Sequence, residues 1–241
     1  MLSAQQYAEQ ALALYAAHAN PDNAAPMQQY MKQIAPFLGI KTPLRRQLSK
    51  QFWQTYNIPP IEQVPDIVRA LYSMPYRELH YLAIELVEFY AKKWQPKDLD
   101  LLEFIITTHS WWDSVDAVRK TVGALMLRHP QLQEPATRQW LASGNQWLQR
   151  MSLIFQLGYK KNTNLDLLYY NILSLANSKA FFIQKAIGWI LREYARTDAA
   201  EVRRFVAATQ LPALSRREAM KHLSWFLPAS LAIAPPLMPP S

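Results

Sequence analysis

The sequence contains no cysteine, which excludes disulfides and thiolate metal sites and leaves nothing at odds with a reducing compartment. Glycine is scarce at five residues of 241, as in a packed chain and unlike a low-complexity one. No apolar run approaches the ~20 residues that span a bilayer. The opening "MLSAQQYAEQALALYAAH" lacks the basic n-region of a signal peptide and reads as an amphipathic helix. HExxH, P-loop and GxGxxG patterns are missing, and the five histidines are scattered. No lysine stands in an obvious Schiff-base setting. The expectation is a soluble cytoplasmic monomer with no metal, no cofactor, no membrane attachment and no lyase activity.

Acidic residues are also short, 18 against 26 basic, for a net charge of +8. An excess of this size points to an anionic partner, nucleic acid before a membrane surface.

Helical periodicity is what the sequence has in plenty, and no stretch alternates as a strand does. "KTPLRRQLSKQFW" gives the clearest start, with Thr42 as cap, Pro43 in the first turn, and Leu44, Leu48 and Phe52 at i, i+4, i+8. Other helices are expected at about 3–18, 24–34, 64–73, 76–93, 97–108, 111–128, 131–142, 145–159, 165–176, 179–196, 199–208 and 215–226. Four longer ones begin at Arg77, Ser114, Trp147 and Phe182, at offsets of 37, 33 and 35, each separated by a shorter helix. Helix pairs at this period predict an all-α fold, a right-handed α-solenoid of HEAT-like repeats with a concave basic face; an irregular helical bundle is the plainer alternative. One domain is expected over residues 1–226, followed by a Pro-rich flexible tail over 227–241.

"HSWWDSVD", from His109 to Asp116, carries the densest chemistry. A helix starting at Ser110 makes Ser110 and Asp113 a capping box. Trp111 then joins Val115, Val118, Val122, Leu125 and Met126 in a core stripe, while Trp112 and Asp116 lie one turn apart at its rim. The plain reading of that pair is a half-buried indole and an Asp in a salt bridge with Arg119 or Arg150. The repeat weighs against it. Asp116, Arg150 and Lys185 follow one another at offsets of 34 and 35, Trp112 and Trp147 at 35, and Trp189 stands one turn beyond Lys185. An acid, two cations and aromatic rings at one repeat position suit a surface that meets an extended anion.

Over about residues 5–226 the chain resembles the AlkD-type DNA alkylation repair glycosylases, which are HEAT-like-repeat proteins. The resemblance rests on "PMQQYMK", "FLGIKTPLRRQL", "SWWDSVD", "NQWLQR", "FFIQKAIGWILREYA" and "LSRREAMKHL". It implies hydrolysis of the N-glycosidic bond of cationic N3- or N7-alkylpurines in double-stranded DNA, with the lesion left stacked. It further implies Asp116 as the essential acid, Trp112 and Trp189 against the sugar, Arg150 on the backbone, and Tyr30 touching DNA from an N-terminal helix. Arg45, Arg46, Lys160, Lys161, Lys185, Arg216, Arg217 and Lys221 are candidates for gripping phosphates. The family also has non-catalytic members, so a DNA-binding protein that recognises distorted duplex is the alternative; this chain keeps every residue of the set.

Overall fold

The computed structural model describes residues 2–221 and Leu223. The expected tail, and most of the last turns of the helix expected at 215–226, lie outside the described residues. Among those described there are thirteen α-helices and no strand, and four of the inter-helix connections are single 3-10 turns. No helix among them is long and apolar enough to cross a membrane.

Two compact units divide at Phe155/Gln156. The first holds α1 (Ala4–Ala16), α2 (Pro21–Tyr30), α3 (Thr42–Tyr56), α4 (Val64–Ser73), α5 (Arg77–Phe89), α6 (Leu99–Thr107), α7 (Trp112–Arg128), α8 (Gln133–Ala142) and α9 (Gln146–Ile154). Consecutive helices pack as pairs, α4 on α5, α6 on α7 and α8 on α9, and α5, α7 and α9 lie side by side as a second row. This is the helix-pair repeat that the spacing predicts. Val115, Val118, Val122, Leu125 and Met126 of α7 and Leu79, Leu82, Ala83, Leu86 and Val87 of α5 are fully buried, so apolar residues at helical period form the seam between rows. The second unit holds α10 (Leu165–Leu175), α11 (Phe181–Tyr194), α12 (Ala199–Ala208) and α13 (Ala213–Met220), with α11 packed on α12 and α13.

Several starts differ from expectation for local reasons. Lys41 is the N-cap of α3, and Thr42 is already helical. Leu44 is 39% exposed because α3 turns Arg45, Leu48, Ser49 and Phe52 inward instead. Asn20 accepts from the Asn23 amide with Pro21 in the first turn, so α2 starts three residues before the expected 24. It ends at Tyr30, where Lys32 and Gln33 turn through positive φ.

A buried acid fixes how α2 meets the rest. Glu78 of α5, fully buried, accepts from the amides of Leu38, Gly39 and Ile40 at 3.0, 3.0 and 3.1 Å. The loop thus held accepts the Asn20 amide on its Leu38 carbonyl at 2.8 Å. Gly39 stands at φ +84, and a Cβ there would lie 2.0 Å from the Asn20 carbonyl oxygen, so no other residue fits.

His80, two residues along α5, is fully buried and stacked between Tyr72 and His109, with ring centroids 4.8 and 4.9 Å away. Its Nε2 hydrogen-bonds the Met74 carbonyl at 2.9 Å, which makes Nε2 the protonated nitrogen of the neutral ring. Burial pushes its pKa from 6.5 down to about 4. The folded protein therefore binds fewer protons here than the unfolded chain between those values, and stability falls as the pH drops through that window. We expect urea denaturation to show a loss of about 2 kcal/mol between neutrality and about pH 5 from this group. The His80→Gln variant should lack that component; an unchanged slope would assign the loss elsewhere.

Candidate functional site

α7 carries the centre of the site, and its start is built differently from the expected cap. The N-cap is Trp111, whose amide bonds the Ser114 hydroxyl at 3.4 Å, while the Ser110 hydroxyl donates to the Ile106 carbonyl at 2.7 Å. Trp111 is half-buried rather than part of the core, its ring edge-on to Trp147 at 5.6 Å. The chain enters this turn through His109 at φ +47, whose carbonyl takes a hydrogen bond from Nη1 of Arg77.

Asp113 is not the capping acid. Arg77 of α5, fully buried, forks onto it, Nη2 to Oδ1 at 2.6 Å and Nε to Oδ2 at 3.0 Å, and the Tyr81 hydroxyl donates to Oδ2 at 2.6 Å. Burial is the largest single influence and opposes the Arg77 charge, but the hydrogen bond and charge of Asp113, with Tyr81 and Tyr72, together outweigh it and the net shift is upward. Burial, with Asp113 beside it, pushes the Tyr81 hydroxyl up as well, so it remains a donor. This arrangement escapes sequence reading; its one trace is that Arg77 and Asp113 stand 36 residues apart, about one repeat.

Asp116, one turn on, faces the next helix. Arg150 of α9 grips it with Nε to Oδ1 at 2.9 Å and Nη2 to Oδ2 at 2.8 Å. Of the two partners named by the plain reading, Arg150 is therefore bonded to Asp116. The burial is uneven: the Arg150 side chain is 5% exposed and that of Asp116 21%, so the acid keeps more contact with solvent than its partner. Trp112 is half-buried beside it, and Tyr30, 71% exposed, stands edge-on to the Trp112 ring at 6.3 Å and 82°. A pocket of about 340 Å³ opens here, its lining including Met27, Tyr30, Phe37, Tyr81, Trp112 and Asp113. The structure thus brings together Tyr30, Trp112, Asp116 and Arg150 within the first unit.

In the second unit, Lys185, Trp189 and Arg192 lie at i, i+4 and i+7 of α11, one face of the helix. Trp189 is half-buried. Lys185 bonds Glu218 of α13 at 3.0 Å, and Arg192 bonds the other oxygen at 2.5 Å. Those two bonds, Lys185 first, hold the Glu218 carboxyl below its ordinary pKa. Gly188 lets the helices close, since a Cβ there would lie 2.4 Å from the Glu218 Cβ. Glu218 is a second residue that sequence reasoning passes over.

Among the expected phosphate grips, Arg45 is corrected: it is 8% exposed and bonds Glu85 of α5 at 2.7 Å, which also accepts from Ser49 at 2.6 Å. Arg46, Lys160, Lys161, Arg217 and Lys221 are exposed. Arg216 is exposed too, with one guanidinium nitrogen on the Val206 carbonyl at 2.9 Å.

Comparison with known proteins agrees with this architecture. Residues 11–223 match the family model of the DNA alkylation repair enzymes, and the chain belongs to that family. A solved structure described as a predicted DNA alkylation repair enzyme from Enterococcus faecalis is 34% identical to it. The match covers 86% of this chain and 97% of that one, with a TM-score of 0.79. No curated protein sequence matches.

The uneven burial of the Asp116–Arg150 fork has a measurable consequence. Removing the acid strands a guanidinium with almost no access to water, whereas removing the cation leaves a carboxylate on a side chain that stays partly exposed. We expect Asp116→Ala to cost about 3 kcal/mol in urea denaturation, and Arg150→Met, which keeps the apolar stem, distinctly less. Equal costs would mean that the fork carries little of the local stability.

Proposed function

We propose that the protein is a monofunctional DNA glycosylase that hydrolyses the N-glycosidic bond of cationic N3- or N7-alkylpurines in duplex DNA without base flipping. The observation that carries this reading is the Asp116 carboxylate, aimed by a two-point bond to Arg150 on a side chain that stays partly exposed, one turn from Trp112 in a member of the alkylation repair family.

The chemistry asks for little else. An alkylated purine is positively charged, so when the C1′–N bond breaks its electron pair neutralises the base, which leaves without protonation. The sugar takes over the positive charge as an oxocarbenium-like species. Asp116 stabilises that charge and orients the water that adds to C1′, and the water's proton passes to solvent. A full charge pair ~4 Å apart at an effective dielectric near 20 is worth about 4 kcal/mol, roughly a thousandfold in rate. The Arg150 countercharge reduces this, so about a hundredfold is the expectation for Asp116. Trp112 offers the sugar an aromatic face, which attracts it more strongly as it becomes cationic. Trp189 of the second unit has the same role on the strength of the resemblance alone. Arg150 puts two of its N–H donors on Asp116, and its hold on the neighbouring phosphate is assigned on the strength of the resemblance alone. Tyr30 and Arg46 add backbone contacts, and Lys185, bonded to Glu218 with its side chain 39% exposed, adds one through its remaining donors.

The alternative is a DNA-binding member of the same family without chemistry, in which the Asp116–Arg150 pair serves structure only. Release of 7-methylguanine from methylated duplex separates the two. We expect wild type to release base and Asp116→Asn to be about a hundredfold slower while melting as a folded protein. Equal rates would remove Asp116 from the chemistry, and binding without release would favour the alternative. If about five phosphates are neutralised, log affinity should fall with log salt at a slope near −4 to −5.

A further inference from the structure

The pocket beside Trp112 is not needed to break the bond, yet Trp112 is both one of its walls and the residue one turn before Asp116. We propose that this pocket holds the departed base: an uncharged, planar alkylpurine stacked among the rings once the glycosidic bond has broken. The proposal rests on the glycosylase reading above.

Shape is the first argument. Tyr30, Phe37, Tyr81 and Trp112 give aromatic walls, and Met27 and Met31 add polarisable thioethers, a lining that suits a flat ring. At about 340 Å³ the space lies at the small end of the ~300–1,000 Å³ typical of small-molecule sites. Phe37 and Met31 are each 5% exposed and form a packed floor, whereas Tyr30 at 71% is the wall with room to move. Tyr81 is held firmly: its hydroxyl is fixed on Asp113, and the Arg45 and Arg77 guanidiniums lie over its ring at 4.7 and 5.7 Å.

Charge is the second argument, since the departed base needs no countercharge. Bond cleavage converts a cationic base into a neutral one. Behind Tyr81 each of the two guanidiniums is paired with an acid, and one of those acids, Asp113, lines the pocket. Both oxygens of Asp113 are bonded, to Arg77 and Tyr81, and Glu85 is bonded to Arg45 and Ser49, so the charges around this wall are already paired. A neutral ring leaves those pairs undisturbed and gains the stacking.

The test uses the whole protein with 13C-methyl-labelled methionine. The Met27 and Met31 signals are identified by Met27→Leu and Met31→Leu. Free 3-methyladenine at neutral pH is the probe, and 1-methyladenosine, a nucleoside that is cationic there, the comparator. We expect ring-current shifts at Met27 and Met31 that saturate with a low-millimolar Kd, roughly what ordinary ligand efficiencies give a ring of about twelve heavy atoms. Met27→Trp, which fills the pocket, should weaken binding at least tenfold, and 1-methyladenosine should bind more weakly than the free base. No shift at either methionine in the wild-type protein overturns the proposal, and tighter binding of the cationic nucleoside overturns it in favour of a lesion subsite. Should Met27→Trp fail to fold, the wild-type titration decides alone. Because the titration contains no DNA, its failure is distinct from a failure to release base from methylated duplex.

Discussion

A carboxylate of α7 held from each side by the arginine of a neighbouring helix is the constraint on which the site depends. α5 reaches across with Arg77 to Asp113, and α9 reaches back with Arg150 to Asp116. The two acids are three residues apart on one helix, so the forks fix its rotation as well as its position. Trp112, immediately before the first acid and one turn before the second, takes its place from both. Ion pairs of this kind add little net stability, because desolvating the charges offsets most of their attraction. What they supply is register, since a helix slipped by one residue would leave a buried guanidinium unpaired.

The same pairing recurs as Arg45 with Glu85, and as Lys185 and Arg192 with Glu218. Each of these cations is met by protein before any nucleic acid arrives. The excess of eight positive charges therefore expresses itself through other residues, Arg46, Lys160, Lys161, Arg217 and Lys221 among the exposed ones. A sequence shows how many cations a chain carries. Which of them are already neutralised is decided by contacts between residues about one repeat apart.

That distinction explains what was legible beforehand. The buried stripe of α7, the helix-pair period and the common side of Trp112 and Asp116 all follow from 3.6-residue geometry and were readable. The cap was not. Ser110 has the right residue type at a plausible place, but its hydroxyl is taken by the Ile106 carbonyl, while Arg77 draws the His109 carbonyl inward and moves the helix start to Trp112. Likewise Leu44 fits an apolar period on α3, yet the charge pair of Arg45 with Glu85 rotates that residue outward. Asp113 looked fully explained by a local role, and its partner lies on another helix. Local signals were overridden wherever a buried charge needed an opposite one.

α2 shows where this architecture leaves freedom. It is clamped at its start through Asn20 and the loop held by Glu78, and just past its end by the buried Met31, yet none of its own ten residues is buried. It behaves as a beam resting on two supports. Replacing the residues between them costs the hydrophobic core nothing, and the wall that α2 presents beside Trp112 includes Met27 and Tyr30. Relatives can therefore drift in this segment, acquiring new tolerances for the groups carried by damaged DNA, while the helices that hold the acid stay unchanged.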